Sequence, residues 1–74
     1  MGEELNIRQQ AFIEEYLGLR SNGVNIGNGT KSYLAVYKDV TSEKSAESNS
    51  SRMLSNDKII KAIGEKREQL GKKL

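Results

Sequence analysis

The chain has 74 residues, 35% of them hydrophobic and 30% charged, with a formal net charge of +2, which is enough for one small domain around a single core. It contains no histidine and no cysteine, which removes the commonest general base, the thiolate nucleophile, the usual zinc ligands and any disulfide. No catalytic residue, metal or cofactor is expected, and no apolar run is long enough for a signal peptide or a membrane span, so the expectation is a soluble intracellular protein with no membrane partner.

Met1-Gly2 opens a myristoylation-like pattern, but Asn6 stands where that pattern needs Ser or Thr. No proline occurs, so helix stops must come from Gly, Asn, Asp and Ser. Asn6 caps a first helix over 6–17, with Gln9 completing a capping box. Phe12, Ile13, Tyr16 and Leu17 form its apolar stripe, and Arg8, Glu14 and Glu15 its outer face. Glu14 and Glu15 point about 100° apart; they do not converge on a metal or a proton and are expected in solvent. Residues 18–28, rich in Gly and Asn, form a loop.

Asn28 caps a second helix over 29–38, in which Tyr33, Leu34, Val36 and Tyr37 supply the apolar face. Phe12, Tyr16, Tyr33 and Tyr37 all lie on inner faces, so they pack a core rather than offer a stacking platform for bases. Thr41 or Ser42 caps a third helix over 42–55, with Ala46, Ser50, Met53 and Leu54 as a narrow inward stripe. Its opposite side presents Lys44, Ser48, Ser51 and Ser55, flanked by Thr41, Ser45 and Arg52. Asn56 caps a fourth helix over 57–71 with Ile59, Ile60, Ile63 and Leu70 inward. The fold class is all-α: residues 1–74 make one small bundle of about four helices, with a helix-turn-helix formed by the second and third.

Charge is uneven along the chain. Residues 1–30 carry −2, from Glu3, Glu4, Glu14 and Glu15 against Arg8 and Arg20; residues 31–56 carry +1 and residues 57–74 carry +3. A basic remainder can turn one face toward phosphates, although ordinary surface charge near helix C-termini produces the same sums. The stretch Gly23 to Ser32 looks like a phosphate-binding loop but fails it, because Thr30 separates Gly29 from Lys31 and no buried strand precedes it. What remains is a helix N-terminus at Gly29, Thr30 and Lys31 able to hold a backbone phosphate.

A recognition helix needs small or bidentate donors at its start so that it can sit deep in the major groove. Ser42, Lys44, Ser45, Ser48 and Arg52 meet that need. Serine-rich helix surfaces also occur where nothing binds, so on pattern alone two alternatives stay open. One is a helix-turn-helix transcription regulator; the other is a protein-interaction module without DNA binding, using the basic fourth helix.

In order along the chain, Leu5 to Leu17, Asn28-Gly29-Thr30-Lys31-Ser32-Tyr33 with Val36-Tyr37, Ser42-Glu43-Lys44-Ser45-Ala46, Ser51-Arg52-Met53-Leu54-Ser55-Asn56 and Lys58 to Ile63 resemble the small subunit of bacteriophage DNA-packaging terminase. The chain departs from that pattern in a longer loop over 18–27, in the turn Lys38 to Thr41, and in Asp57 where proline is usual; either residue suits a first helical turn. The resemblance implies a non-catalytic subunit that binds double-stranded viral DNA at the packaging start site and recruits the large terminase subunit, which carries the ATPase and nuclease. It further implies action in the host bacterial cytoplasm and a homo-oligomer in the full-length protein. The oligomerisation region and tail of that family do not occur here, so the chain is expected to be a domain excerpt or truncated product, monomeric as it stands. Ser42, Lys44, Ser45, Ser48 and Arg52 would then face the DNA groove, with Lys31, Lys38 and Thr41 toward phosphates.

Overall fold

The computed structural model describes residues 5–72. The Met1-Gly2 pattern and the charges of Glu3, Glu4 and Lys73 lie outside the described residues. Four α-helices make up the fold: α1 (Ile7–Tyr16), α2 (Gly29–Val36), α3 (Glu43–Leu54) and α4 (Asp57–Lys72), with one 3-10 turn at Ser21–Gly23. No strand occurs among the described residues.

Each helix start is written in local chemistry. Asn6 Oδ1 accepts from the Gln9 backbone N–H at 2.8 Å while Gln9 Oε1 accepts from the Asn6 N–H at 3.0 Å, a complete capping box that satisfies two otherwise orphaned donors. Asn28 Oδ1 accepts from Lys31 N–H at 2.9 Å to open α2, and Ser42 Oγ from Ser45 N–H at 3.2 Å to open α3. Of the two candidate caps for α3, Ser42 is therefore the one used. Asn56 Oδ1 accepts from Lys58 N–H at 2.8 Å ahead of α4. Glu43 in the first turn and Arg52 in the last turn of α3 complement the helix dipole.

The core gathers Phe12 and Ile13 of α1, Tyr33 of α2, Ala46 of α3, and Ile59 and Ile63 of α4. Phe12 meets Tyr33 edge to face at 6.3 Å, and Tyr33 stacks on Tyr37 at 4.2 Å, arrangements that suit the ring quadrupoles. The small inward stripe of α3 lets α2 come close. A Cβ placed on Gly29 would stand 3.0 Å from Leu54 Cδ1 and 3.5 Å from Ser50 Oγ, so glycine at this position sets the approach of the two helices.

Three expectations are corrected. Glu15 is buried, not solvated: Ser21 Oγ and Asn25 Nδ2 each donate to its carboxylate at 2.9 Å. Asn25 O in turn accepts from Ser32 Oγ of α2 at 3.2 Å, so the 18–28 segment is a hydrogen-bonded link between α1 and α2, bent tightly enough to put Ser21 and Asn22 at positive φ. Ile60 points outward at 51% exposure, because adjacent residues on a helix diverge by about 100° and Ile59 takes the inward direction. Helix α2 ends at Val36 rather than Lys38; Tyr37 leaves the helix at φ −95°, ψ 76°, and Val40 N–H returns to Tyr37 O at 3.0 Å.

Candidate functional site

All of Lys31, Lys38, Thr41, Ser42, Lys44, Ser45, Ser48 and Arg52 are exposed. On α3, steps of about 100° per residue place Lys44, Ser48, Ser51 and Ser55 in one outward arc, with Ser45 and Arg52 on its flank. The opposite side carries the buried Ala46 and Ser50. Ser50 Oγ satisfies itself by donating to Glu47 O at 3.1 Å, and Ser55 Oγ to Ser51 O at 3.0 Å, so both hydroxyls already donate to the helix backbone. Ser42 has a structural duty as the cap of α3, although its hydroxyl hydrogen stays free to donate.

Lys31 and Lys44 come together across the starts of α2 and α3. They line an open groove of about 500 Å³ with Asn28, Thr30, Glu43 and Glu47. Sequence reasoning missed the two glutamates, which balance the two lysines and leave the groove neutral. The signal was present in the spacing: Glu43 and Glu47 stand at i and i+4 beside Lys44. The outward arc of α3 shares Lys44 with this groove and continues with short hydroxyl side chains, flanked by Arg52.

Lys38 goes elsewhere. It lines a second cleft with Arg8 of α1 and Arg20 of the loop, beyond the turn that ends α2. Arg8 lies 5.2 Å above the Tyr37 ring and 3.7 Å from Asp39. Burial pushes the Tyr37 hydroxyl above its ordinary value of 10.0, the neighbouring Tyr33 adds to the rise, and the Arg8 charge opposes it.

Among the described residues no three His, Cys, Asp or Glu side chains are grouped to hold a metal ion, and no helix is long and apolar enough to cross a membrane. Fold and surface together define a small all-helical domain whose third helix displays a slim polar face. The chain belongs to the terminase small subunit family: the family model carrying that description matches residues 5–74, nearly the whole sequence. No curated protein and no solved structure matches the chain. Membership supports a role in genome packaging, on the side of the machinery that is generally non-catalytic, and it bears out the family resemblance drawn from the ordered motifs.

Proposed function

We propose that this chain is the DNA-binding domain of a phage terminase small subunit, recognising viral DNA at the packaging start site and recruiting the large subunit that carries ATPase and nuclease activity. Helices α2 and α3, joined through residues 37–42, act as a helix-turn-helix. Ser42, Lys44, Ser45, Ser48 and Arg52 face the major groove, and Lys31 and Thr41 reach toward phosphates, while Lys38 lines the cleft with Arg8 and Arg20. The setting is the host bacterial cytoplasm, and the full-length protein acts as a homo-oligomer in which several such domains add avidity.

The observation that carries this reading is the two-sidedness of α3. Its inward side carries the buried Ala46 and Ser50 with the half-buried Met53 and Leu54, which seat it closely on α2, while the exposed arc of Lys44, Ser48 and Ser51, with Arg52 on its flank, is made of lysine, serine and arginine. Short side chains let a helix lie deep in a groove about 12 Å wide, and the two long cations at its edges reach base edges or phosphates.

Fluorescence titration of labelled duplex at two salt concentrations tests it. Lys44→Ala and Arg52→Ala are each expected to weaken binding and to reduce the slope of log K against log salt by about one for each phosphate no longer neutralised. Unchanged affinity and slope in both variants would remove these residues from the interface. Footprinting on packaging-region DNA against promoter DNA separates a packaging role from transcription control.

A further inference from the structure

The cleft on the α1 side of the molecule is a second surface, of about 500 Å³, and the DNA reading draws no residue from it. Three cations from separate parts of the chain meet there: Arg8 from α1, Arg20 from the loop and Lys38 from the turn after α2. One carboxylate lines it among the described residues, that of Glu15, and this group is 5% exposed with its two oxygens taken by Ser21 and Asn25. Apart from Ser21 the rest of the lining is apolar, with Ala35 and Val36 in the wall and Ile7 at the rim, 83% exposed.

Both guanidinium groups are held in place with donors to spare. Arg20 Nε donates to Glu14 Oε1 at 2.6 Å, which leaves its terminal nitrogens available. Arg8 is steadied by the Tyr37 ring, and its 3.7 Å separation from Asp39 is too long for a hydrogen bond. Exposed ion pairs of this kind contribute about 0–1 kcal/mol, so an incoming carboxylate displaces Asp39 easily.

We propose that this cleft docks an acidic peptide segment of a partner protein, one that carries an apolar side chain among its carboxylates. The carboxylates meet Arg8, Arg20 and Lys38, and the apolar side chain lies on Ile7 and Val36. Lys38, which makes no ion pair among the described residues, and the spare donors of Arg8 and Arg20, whose charges Asp39 and Glu14 partly neutralise, attract the anion, and the apolar wall selects a peptide over a bare phosphate backbone, which would leave Ile7 uncovered. A ligand drawn by charge alone would go instead to the cations of α4, such as Lys61 and Arg67, which are exposed. The inference is independent of DNA binding.

The test is an NMR titration of the 74-residue chain with three probes: a capped pentapeptide of four glutamates around one leucine, its counterpart with serine in place of the leucine, and a DNA duplex. The leucine peptide is expected to move the Arg8 and Arg20 Nε–H signals and the Ile7 and Val36 methyls, and to bind at least about tenfold more tightly than the serine peptide. Lys38→Ala and Arg8→Ala, each checked for an unchanged amide spectrum elsewhere, are expected to weaken it. Lys38→Ala is the safer variant, because that side chain is exposed and makes no salt bridge among the described residues. Shifts centred on α4, equal binding of the two peptides, or unchanged affinity in Lys38→Ala would overturn the proposal. Movement of the cleft signals by duplex alone would overturn it in favour of a DNA backbone contact.

Discussion

The side-chain amide of Asn25 donates to the buried carboxylate of Glu15 at 2.9 Å, ten positions away in sequence. This hydrogen bond makes the long loop part of the fold. Ser21 Oγ donates to the other carboxylate oxygen, Asn25 O receives Ser32 Oγ, and Gly27 N–H donates to Tyr16 O at 2.8 Å. The start of α2, and through it the seat of α3, is thereby tied to α1.

Removing that anchor has a defined cost. Glu15→Ala leaves the buried Asn25 amide without its acceptor, and such a group costs about 1–3 kcal/mol. Urea unfolding is expected to show a destabilisation in that range, with faster amide exchange in residues 18–28 than in α3. An unchanged midpoint would mean that the loop stands without the carboxylate.

The phase of α4 gives a paired test. Ile59 is 0% exposed and belongs to the core, so Ile59→Ala is expected to cost about 2–5 kcal/mol, much of the stability of a domain this small. Ile60→Ala, one position on and facing outward, is expected to stay within about 0.5 kcal/mol. Thermal melts of the two variants distinguish this phase from one with both isoleucines inward.

Two glycines should respond in opposite directions. At Gly29 any larger side chain meets Leu54 and Ser50, so Gly29→Leu is expected to force α2 and α3 apart at a cost of about 1–3 kcal/mol. Gly64 lies in the middle of α4, and an added Cβ there would meet nothing within 4 Å. Gly64→Ala is therefore expected to stabilise by up to about 1 kcal/mol, through helix propensity and unfolded-state entropy. Melting temperatures that move together would contradict the close α2–α3 approach.

Tyr37 sets an alkaline limit. Its folded-state pKa lies above the ordinary value of 10.0, chiefly through burial, so the unfolded chain gives up this proton first as pH rises. The stabilisation is complete below about pH 10 and is lost as pH climbs through the folded value. Melts between about pH 8 and 11 should show a decline that Tyr37→Phe reduces. Identical slopes in the two proteins would assign the decline to other groups.

The sequence made the helices legible because their signals are local: Asn6 with Gln9, Asn28 and Ser42 each cap within three residues, and the stripes of α1 and α3 follow helical spacing. The same periodicity separated Ala46 and Ser50 from Lys44 and Ser48. It could not find the burial of Glu15, because the donors Ser21 and Asn25 sit in a loop whose path no periodicity encodes. Ile59 and Ile60 are equally apolar, so only the packing decides which one turns inward. Position near the turn does not tell Lys38 from Lys31; the meeting of α1 with α2 puts Lys38 in the cleft with Arg8 and Arg20.

The most direct test of the central claim is an NMR titration of the chain with duplex DNA containing the packaging start region, because it reports the responding helix even at the low affinity of a single domain. The amide signals of Lys44, Ser45, Ser48, Ser51 and Arg52 are expected to move progressively and to move less at higher salt, while those of α4 stay in place. Signals of α3 that remain still as duplex is added to excess would contradict the account.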